Sequence, residues 1–437
     1  MTLETRVSIS EAEQLVKEVF LKNGVKEDVA ASVSTALVAA EAEGQVGHGF
    51  SRVKDYIAQV KSKKINVNAE IKIEHPKPAS ISIDADYGFA YPALDQAISK
   101  GASIAKEYGS AVVSIFNSHH CGALSVQVEN IANRGLIGLM MANTPKAIAP
   151  WGQVGHGFSR VKDYIAQVKS KKINVNAEIK IEHPKPASIS IDADYGFAYP
   201  ALDQAISKGA SIAKEYGSAV VSIFNSHHCG ALSVQVENIA NRGLIGLMMA
   251  NTPKAIAPWG GKDPFFGTNP IAFSVPRITK DPLVIDLSLS KVARGKIMHA
   301  KKANTKIPEG WALDSSGNPT TDPDLALKGS MLPIGEAKGS ALALMVEILA
   351  ASFSGGRPSN EASSFLDPDG DPPGVGQFLM FIDPGKDKGS FFNRLEKLLL
   401  NIEEVEGVRL PGERRKKDIQ TSRDLGLLLP ANFVDPW

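Results

Sequence analysis

The sequence predicts a mixed α/β protein with a small helical domain at its start. Three observations carry this: the first 60 residues show capped, helical apolar periodicity; the residues after them alternate short apolar strands with helices; and no GxGxxG turn links a strand to a helix. At 437 residues, 43% of them hydrophobic and 22% charged, the chain has ample core material for two or three domains. Lys plus Arg number 48 against 47 Asp plus Glu, so the net charge of +1 offers no field for nucleic acid or an anionic membrane. Small-molecule chemistry is the expectation.

The elements follow in order. Ser8 or Ser10, with Glu11 or Glu13 three residues on, forms a capping box, and Leu15, Val19 and Phe20 recur at helical spacing until Gly24 stops the helix. A second, Ala-rich helix runs from about Glu27 to Glu43, and Phe50, Val53, Ile57 and Val60 mark a third. Strands are expected around Ile81 and Ile83, at Ala111 to Phe116 and at Leu136 to Ala142, with a helix at Val126 to Ala132. Farther on come strands at Ile271 to Val275, Leu283 to Leu287 and Phe378 to Ile382, and helices at about Ser290 to Ala300, Gly339 to Ala351 and Phe391 to Val405. Gly355 to Pro358 and Asp367 to Gly376 read as loops.

One feature cuts across this order. Gln45 to Gly152 recurs without a change as Gln153 to Gly260, an offset of 108 residues. Solenoid repeats are roughly 20 to 50 residues long and diverged, so this is a duplication with no architectural logic of its own. Deleting either copy leaves one sequence of 329 residues (437 less 108). Eight of the nine histidines and both cysteines, Cys121 and Cys229, lie in the repeated unit, so neither a metal site nor a disulfide framework is implied. There is no HExxH and no CxxC pair. The N-terminal stretch lacks a secretory leader pattern, and no apolar run reaches the ~18 residues needed to span a bilayer, so a cytoplasmic location is expected.

Polar motifs sit where apolar strands end, the usual place for function. AVVSIF runs into Asn117-Ser118-His119-His120-Cys121-Gly122, LIGLMMA into Asn143-Thr144-Pro145-Lys146, Thr268-Asn269 precedes a strand, and VID leads to Ser288 and Arg294-Gly295-Lys296. The strings EAEGQVGHGFSR, NSHHCGAL, APWGG with GTNPIAF, IDLSLSKVARGK, PEGWALD with TTDP, LPIGEAKGSALALMVEIL and PGERR, taken in order, resemble the malate/L-lactate dehydrogenase family of the second, non-Rossmann type. The resemblance covers essentially the whole 329-residue chain.

It implies a mainly antiparallel mixed sheet with non-Rossmann NAD(P) binding, a homodimer, and NADPH- or NADH-dependent reduction of a small 2-oxo or cyclic 2-imino carboxylate of the Δ1-pyrroline or Δ1-piperideine type. Sulfolactate, malate or lactate dehydrogenation is the alternative within that class. An assembly protein whose site decayed through the duplication is the competing class. The implied division is a helical substrate or dimerisation domain at 1–74, a first cofactor-domain segment at 75–152, its duplicate at 153–260, the rest of the cofactor domain at 261–330, and a C-terminal domain at 331–437 packing on the N-terminal helices.

Hydride delivery to C2 of such an acid demands a proton on oxygen or nitrogen, hence a general acid titrating near neutrality. His48 takes this role by resemblance; the family's Ser-His-Gly turn reads Gly47-His48-Gly49 here. Arg52, one helical turn on, offers a fork for the substrate carboxylate, and Tyr56 continues that face. His120 or its copy His228 orients nicotinamide or substrate. Asn117 and Ser118 or their copies Asn225 and Ser226, with Thr268, Asn269, Asp286 and Ser288, are expected at ribose and carboxamide. Arg294, Lys296, Lys338 and Arg414, with Gly339 at a helix start, are expected at pyrophosphate. Chain contiguity predicts a chimeric site: His48, Arg52 and Tyr56 from copy one with Asn225, Ser226 and His228 from copy two, leaving His156, Arg160, Tyr164 and His120 displaced.

Overall fold

The computed structural model describes residues 7–45, 47–143, 161–385 and 388–425. The chain divides into two compact units: the first carries residues up to 143, the second those from 161, with the short stretches Lys185–Ala187 and Glu215–Ser218 grouped with the first.

The first unit opens with helices α1 (Ile9–Lys22), α2 (Glu27–Ala42) and α3 (Ser51–Lys61). Ser8 and Glu11 form the expected capping box in α1. Its buried face is Ala12, Val16 and Phe20, whereas Leu15 and Val19 are exposed, so of the expected stripe Phe20 faces the core and the other two do not. Phe20 packs with Val33 and Leu37 of α2 and with Tyr56 of α3; burying one such phenyl ring is worth roughly 1.5–3 kcal/mol. Next come β1 (Lys72–Lys77), β2 (Ser80–Asp84), α4 (Ala90–Tyr108), β3 (Val112–Phe116) and α5 (Leu124–Ala132), with a three-stranded sheet in the order β1-β2-β3. The 19-residue α4 was missed from sequence, although Ala93, Leu94, Ala97 and Ile98 form its buried stripe.

The second unit begins with α6 (Val161–Lys169), β4 (Lys180–Lys185), β5 (Ser188–Asp192), α7 (Ala198–Tyr216), β6 (Ser218–Ser226), α8 (Leu232–Ala240), β7 (Ile245–Ala250), β8 (Ile271–Val275) and β9 (Leu283–Leu287). It continues through α9 (Arg294–Lys302), β10 (Ala312–Leu313), β11 (Pro319–Thr320), α10 (Pro323–Lys328), β12 (Ser330–Met331), α11 (Ala337–Glu347) with a π-helical extension Ile348–Phe353, β13 (Val375–Ile382), α12 (Lys388–Glu403) and α13 (Glu413–Leu425). Seven strands form one sheet in the order β4-β5-β6-β13-β7-β8-β9. The pairs β13–β7, β7–β8 and β8–β9 are antiparallel and β5–β6 is parallel. The expected mixed, mainly antiparallel sheet is therefore present.

β13 lies inside this sheet, and Arg415 of α13 grips Glu237 of α8 through two hydrogen bonds of 3.0 and 2.7 Å. The described C-terminal residues thus pack within the second unit.

The duplicated sequence adopts two structures. In copy two, LIGLMMA becomes β7, buried between β13 and β8. In copy one the same residues form no strand, and Ile137, Leu139 and Met141 are 58%, 46% and 75% exposed. Likewise SAVVSIFNS is a nine-residue buried strand in copy two, while its copy-one twin β3 spans five partly exposed residues. The reason is stoichiometric: β13 and β8 occur once, and a strand needs a neighbour to satisfy its backbone groups.

Candidate active site

Four side chains of the first unit form one hydrogen-bonded chain. Tyr56 sits 2% exposed in the helical core because its α3 position faces Phe20 and Phe89. Its hydroxyl lies 3.0 Å from the Tyr91 hydroxyl and 2.7 Å from His120 Nδ1. His120 Nε2 lies 3.2 Å from His48 Nδ1, and the two imidazoles stack 4° from parallel with centroids 5.1 Å apart.

The proton positions follow from chemistry. Burial pushes the Tyr56 phenol up to about 12 and raises Tyr91 as well, so both hydroxyls stay protonated at neutrality. Burial, then the charges of Arg52 and His48, lower His120, which is therefore neutral at pH 7. A consistent assignment has Tyr91 donating to Tyr56, Tyr56 donating to His120 Nδ1, and His120 Nε2–H donating to His48 Nδ1. His48 then carries its proton on Nε2. Protonating His48 at Nδ1 reverses every bond in the chain.

The turn presenting His48 is held from both sides. Arg52 Nε donates to the Gly47 carbonyl at 2.7 Å, and Glu41 accepts from the Phe50 amide at 2.8 Å. Glu41 occupies the space beside Gly49, where a Cβ would fall 2.1 Å from its Oε2, so position 49 demands glycine. A Cβ on Gly47 meets nothing within 4 Å, so the serine of the family turn would fit. Arg52 is 39% exposed and also reaches Asp55 at 3.5 Å, which makes it part of the turn's scaffold.

In the second unit the equivalent Tyr164 hydroxyl lies 2.6 Å from His228 Nδ1. The ring that His48 meets is thus His120 of its own copy, where the sequence reading joined His48 to His228. The pair closes a separation of 72 residues and needs no chain to pass the intervening copy, the cheaper loop to close. His156 and Arg160 lie outside the described residues, as does Lys146.

Asn117 and Ser118 lie in the first unit, where Asn117 donates to Asp84 at 3.0 Å; the other expected cofactor residues are in the second unit, and several have structural partners there. Asn225, at φ 49°, donates to Asp192 at 3.0 Å; Ser226 is buried. Asn269 is fully buried and donates to Glu347 at 2.9 Å and to the Ala343 carbonyl at 3.0 Å; Ser359 and Asn251 join this network, which sequence reading missed because its members are far apart in the chain. Thr268 accepts no ligand-like isolation either: its amide donates to Thr252 Oγ1 at 2.9 Å. Asp286 accepts from the Ser233 amide at 2.8 Å and so caps the start of α8 from strand β9. Ser288 lies 3.1 Å from the Ser290 hydroxyl.

Gly339 is required by the chain itself, since a Cβ there would fall 1.8 Å from the Ile334 carbonyl oxygen. Lys338 beside it is exposed at the first turn of α11, whose N-cap Glu336 makes no side-chain capping bond. Lys296 lines a cleft of about 370 Å³ with His299, Lys306 and Trp311, next to Arg294 on α9. Arg414 is exposed on α13, 3.8 Å from Asp418. Burial raises the thiols of Cys121 and Cys229, the latter to about 12, so neither is a nucleophile at neutrality. Among the described residues no cluster of His, Cys, Asp and Glu fits a metal ion, and no helix is long and apolar enough to cross a membrane.

The chain is 48% identical over 284 residues, 65% of its length and 85% of the relative's, to the (2R)-3-sulfolactate dehydrogenase (NADP(+)) of Chromohalobacter salexigens. It is 35% identical over 323 residues, 74% of its length and 91% of the relative's, to the Δ1-pyrroline-2-carboxylate/Δ1-piperideine-2-carboxylate reductase of Pseudomonas putida. The fold is similar to that of the sulfolactate dehydrogenase from Methanocaldococcus jannaschii, with a TM-score of 0.58 at 24% identity, covering 98% of this chain and 94% of that one. The malate/L-lactate dehydrogenase profile matches residues 7–155 and again 152–436, two matches that overlap at the junction of the repeat. The chain belongs to the malate/L-lactate dehydrogenase family of oxidoreductases.

Proposed function

We propose that the chain is a nicotinamide-dependent reductase of a small 2-oxo or cyclic 2-imino carboxylate, with His48 as the general acid. The observation that carries this is the chain Tyr91–Tyr56–His120–His48, which engages His48 at Nδ1 and leaves its Nε2 for the substrate. A bound nicotinamide supplies the hydride. His48 supplies the proton that the alkoxide oxygen or amine nitrogen needs from its imidazolium form, in which Nδ1–H is held by His120 Nε2 while Nε2–H is given up, leaving a neutral imidazole that solvent reprotonates. Arg52, beside His48, holds the substrate carboxylate.

The residues present fit a dinucleotide in one respect that geometry can test. The start of α11 presents an exposed turn, Gly335 to Lys338, with a lysine and no side chain of Glu336 capping it, a setting suited to a pyrophosphate. NADPH is the form proposed, on the name of the 48% identical relative. A homodimer is part of the proposal, and sedimentation measures it.

The cyclic imine is the main substrate reading, supported by relatives named as Δ1-pyrroline- and Δ1-piperideine-2-carboxylate reductases. A 3-sulfo-2-oxo acid is the second reading, favoured by the 48% identical relative. The test follows NADPH absorbance with pyruvate, 3-sulfopyruvate and Δ1-pyrroline-2-carboxylate, using the whole chain and its His48→Asn variant. Turnover of one of these acids that the variant loses supports the reading; no turnover by the whole chain, or full turnover by the variant, refutes it.

A further inference from the structure

Strand β13 reads VGQFLMFI, carries no charge and is buried along most of its length. In the second unit it runs between β6 and β7, and both of these walls belong to the repeated sequence. Phe378 of β13 pairs with Met249 of β7. Phe381 lays its ring over Gly209 of α7, where a Cβ would fall 2.6 Å from the ring, so the missing side chain makes the room for the phenyl.

The first unit repeats these walls without that strand. Among the described residues β3, the twin of β6, has β2 as its one strand neighbour. The twin of β7 is the 136–142 segment, and α5 holds it as α8 holds β7: a Cβ on Gly138 would fall 3.0 Å from Ile131 Cβ, and one on Gly246 would fall 3.0 Å from Ile239 Cβ. A Cβ on Gly101 of α4, the twin of Gly209, would meet Val113 at 3.1 Å in place of a phenyl ring. Phe116, Ile137, Leu139 and Met141 are exposed. Neither β3 nor the 136–142 segment carries a charge or a proline, the usual guards of an open strand edge. The twins part in the same way at a second partner that occurs once: Lys172 is buried with its ammonium on the carbonyls of Ser364 and Asp369, at 2.7 and 2.6 Å, whereas Lys64 is exposed.

We propose that copy one is a strand-accepting site whose occupant is the β13 segment of a second copy of this chain. The twin names the occupant, because walls of identical sequence in the second unit already hold this one strand. Stoichiometry sets when it is filled. Each chain has two such seats and one β13, so folded chains have no strand to give, whereas a copy whose β13 has not yet docked is captured as it folds. The backbone ladder supplies the affinity, and the phenyl over Gly101 supplies the selectivity. The inference goes beyond the reductase reading, and its tests need no turnover.

The probe is a synthetic peptide of residues 374–383, flanked by lysines for solubility and carrying Phe378→Cys. It is added to the folded whole chain bearing Cys121→Ala, Cys229→Ala and Met141→Cys, since Met141 is the twin of the residue that faces Phe378. The peptide should form a disulfide at position 141, and a peptide that also carries Phe381→Lys should lose most of that labelling. With Met249→Cys in place of Met141→Cys the labelling should be lost, because the chain's own β13 covers that position. Equal labelling by the two peptides, or no labelling at position 141, overturns the proposal. A second measurement uses whole chains alone, with the native cysteines again replaced. Chains carrying Met141→Cys and chains carrying Phe378→Cys, unfolded together in urea and refolded, should yield a 141–378 link between chains, and the same chains mixed after folding should not. A link missing after joint refolding, or as abundant between chains folded apart, sinks the capture of β13.

Discussion

Replacing Tyr56 by Phe removes one oxygen and leaves the ring, so the packing against Phe20 and Phe89, at centroid distances of 6.5 and 5.7 Å, is kept and no cavity opens. What is lost is the centre of the hydrogen-bonded chain. The Tyr91 hydroxyl, in a side chain 2% exposed, is left without its 3.0 Å acceptor, and a stranded buried polar group costs about 1–3 kcal/mol. His120 Nδ1 also loses its 2.7 Å donor, though the Gly122 amide at 3.4 Å partly replaces it. About 2–3 kcal/mol is the expected total.

The duplication supplies the control. Tyr164→Phe, in identical local sequence, cuts the 2.6 Å bond to His228 and a 3.5 Å contact to Tyr199, but Tyr199 is 38% exposed and regains water. Its cost is about 1 kcal/mol. Urea unfolding of the two variants measures the gap, and NADPH oxidation measures kcat, which falls about 10- to 100-fold in Tyr56→Phe because His120, and through it the His48 ring, is no longer held. Equal stability losses in the twins would refute the reasoning, since helix propensity and neighbours in sequence cancel between them.

Other outcomes follow from the same geometry. His120 binds its proton less readily folded than unfolded, so its contribution to stability is present above its ordinary value of 6.5 and is lost as pH falls below it; the stability of His120→Gln should therefore decline less between pH 7 and pH 5, and an unchanged slope counts against the burial assigned to it. With native cysteines replaced, Met249→Cys and Phe378→Cys, paired residues of β7 and β13, should form a disulfide on oxidation, whereas Met141→Cys with Phe378→Cys should not; a 141–378 bond shows copy one seated on β13. Asp286→Ala should cost about 0.5–2 kcal/mol by uncapping α8, and a variant as stable as the parent removes that role. Gly47→Ser should stay within about 0.5 kcal/mol of the parent in urea, as expected for a surface change into open space; a larger loss denies that space.

Much of this was readable in the chain. Ser8 and Glu11 announced α1, the β-branched run AVVSIF announced a strand, and seven ordered strings announced the family, because local propensity, capping and short motifs act through neighbours in sequence. His48 and Tyr56 were also readable, lying two helical turns apart. What sequence could not settle was anything that depends on competition for a partner. Identical residues become buried β7 in one copy and an exposed segment in the other, and identical lysines end buried at Lys172 and exposed at Lys64. β13, β8 and the Ser364–Asp369 loop each exist once, so only tertiary pairing decides which copy satisfies its backbone and its ammonium, and which is left to water.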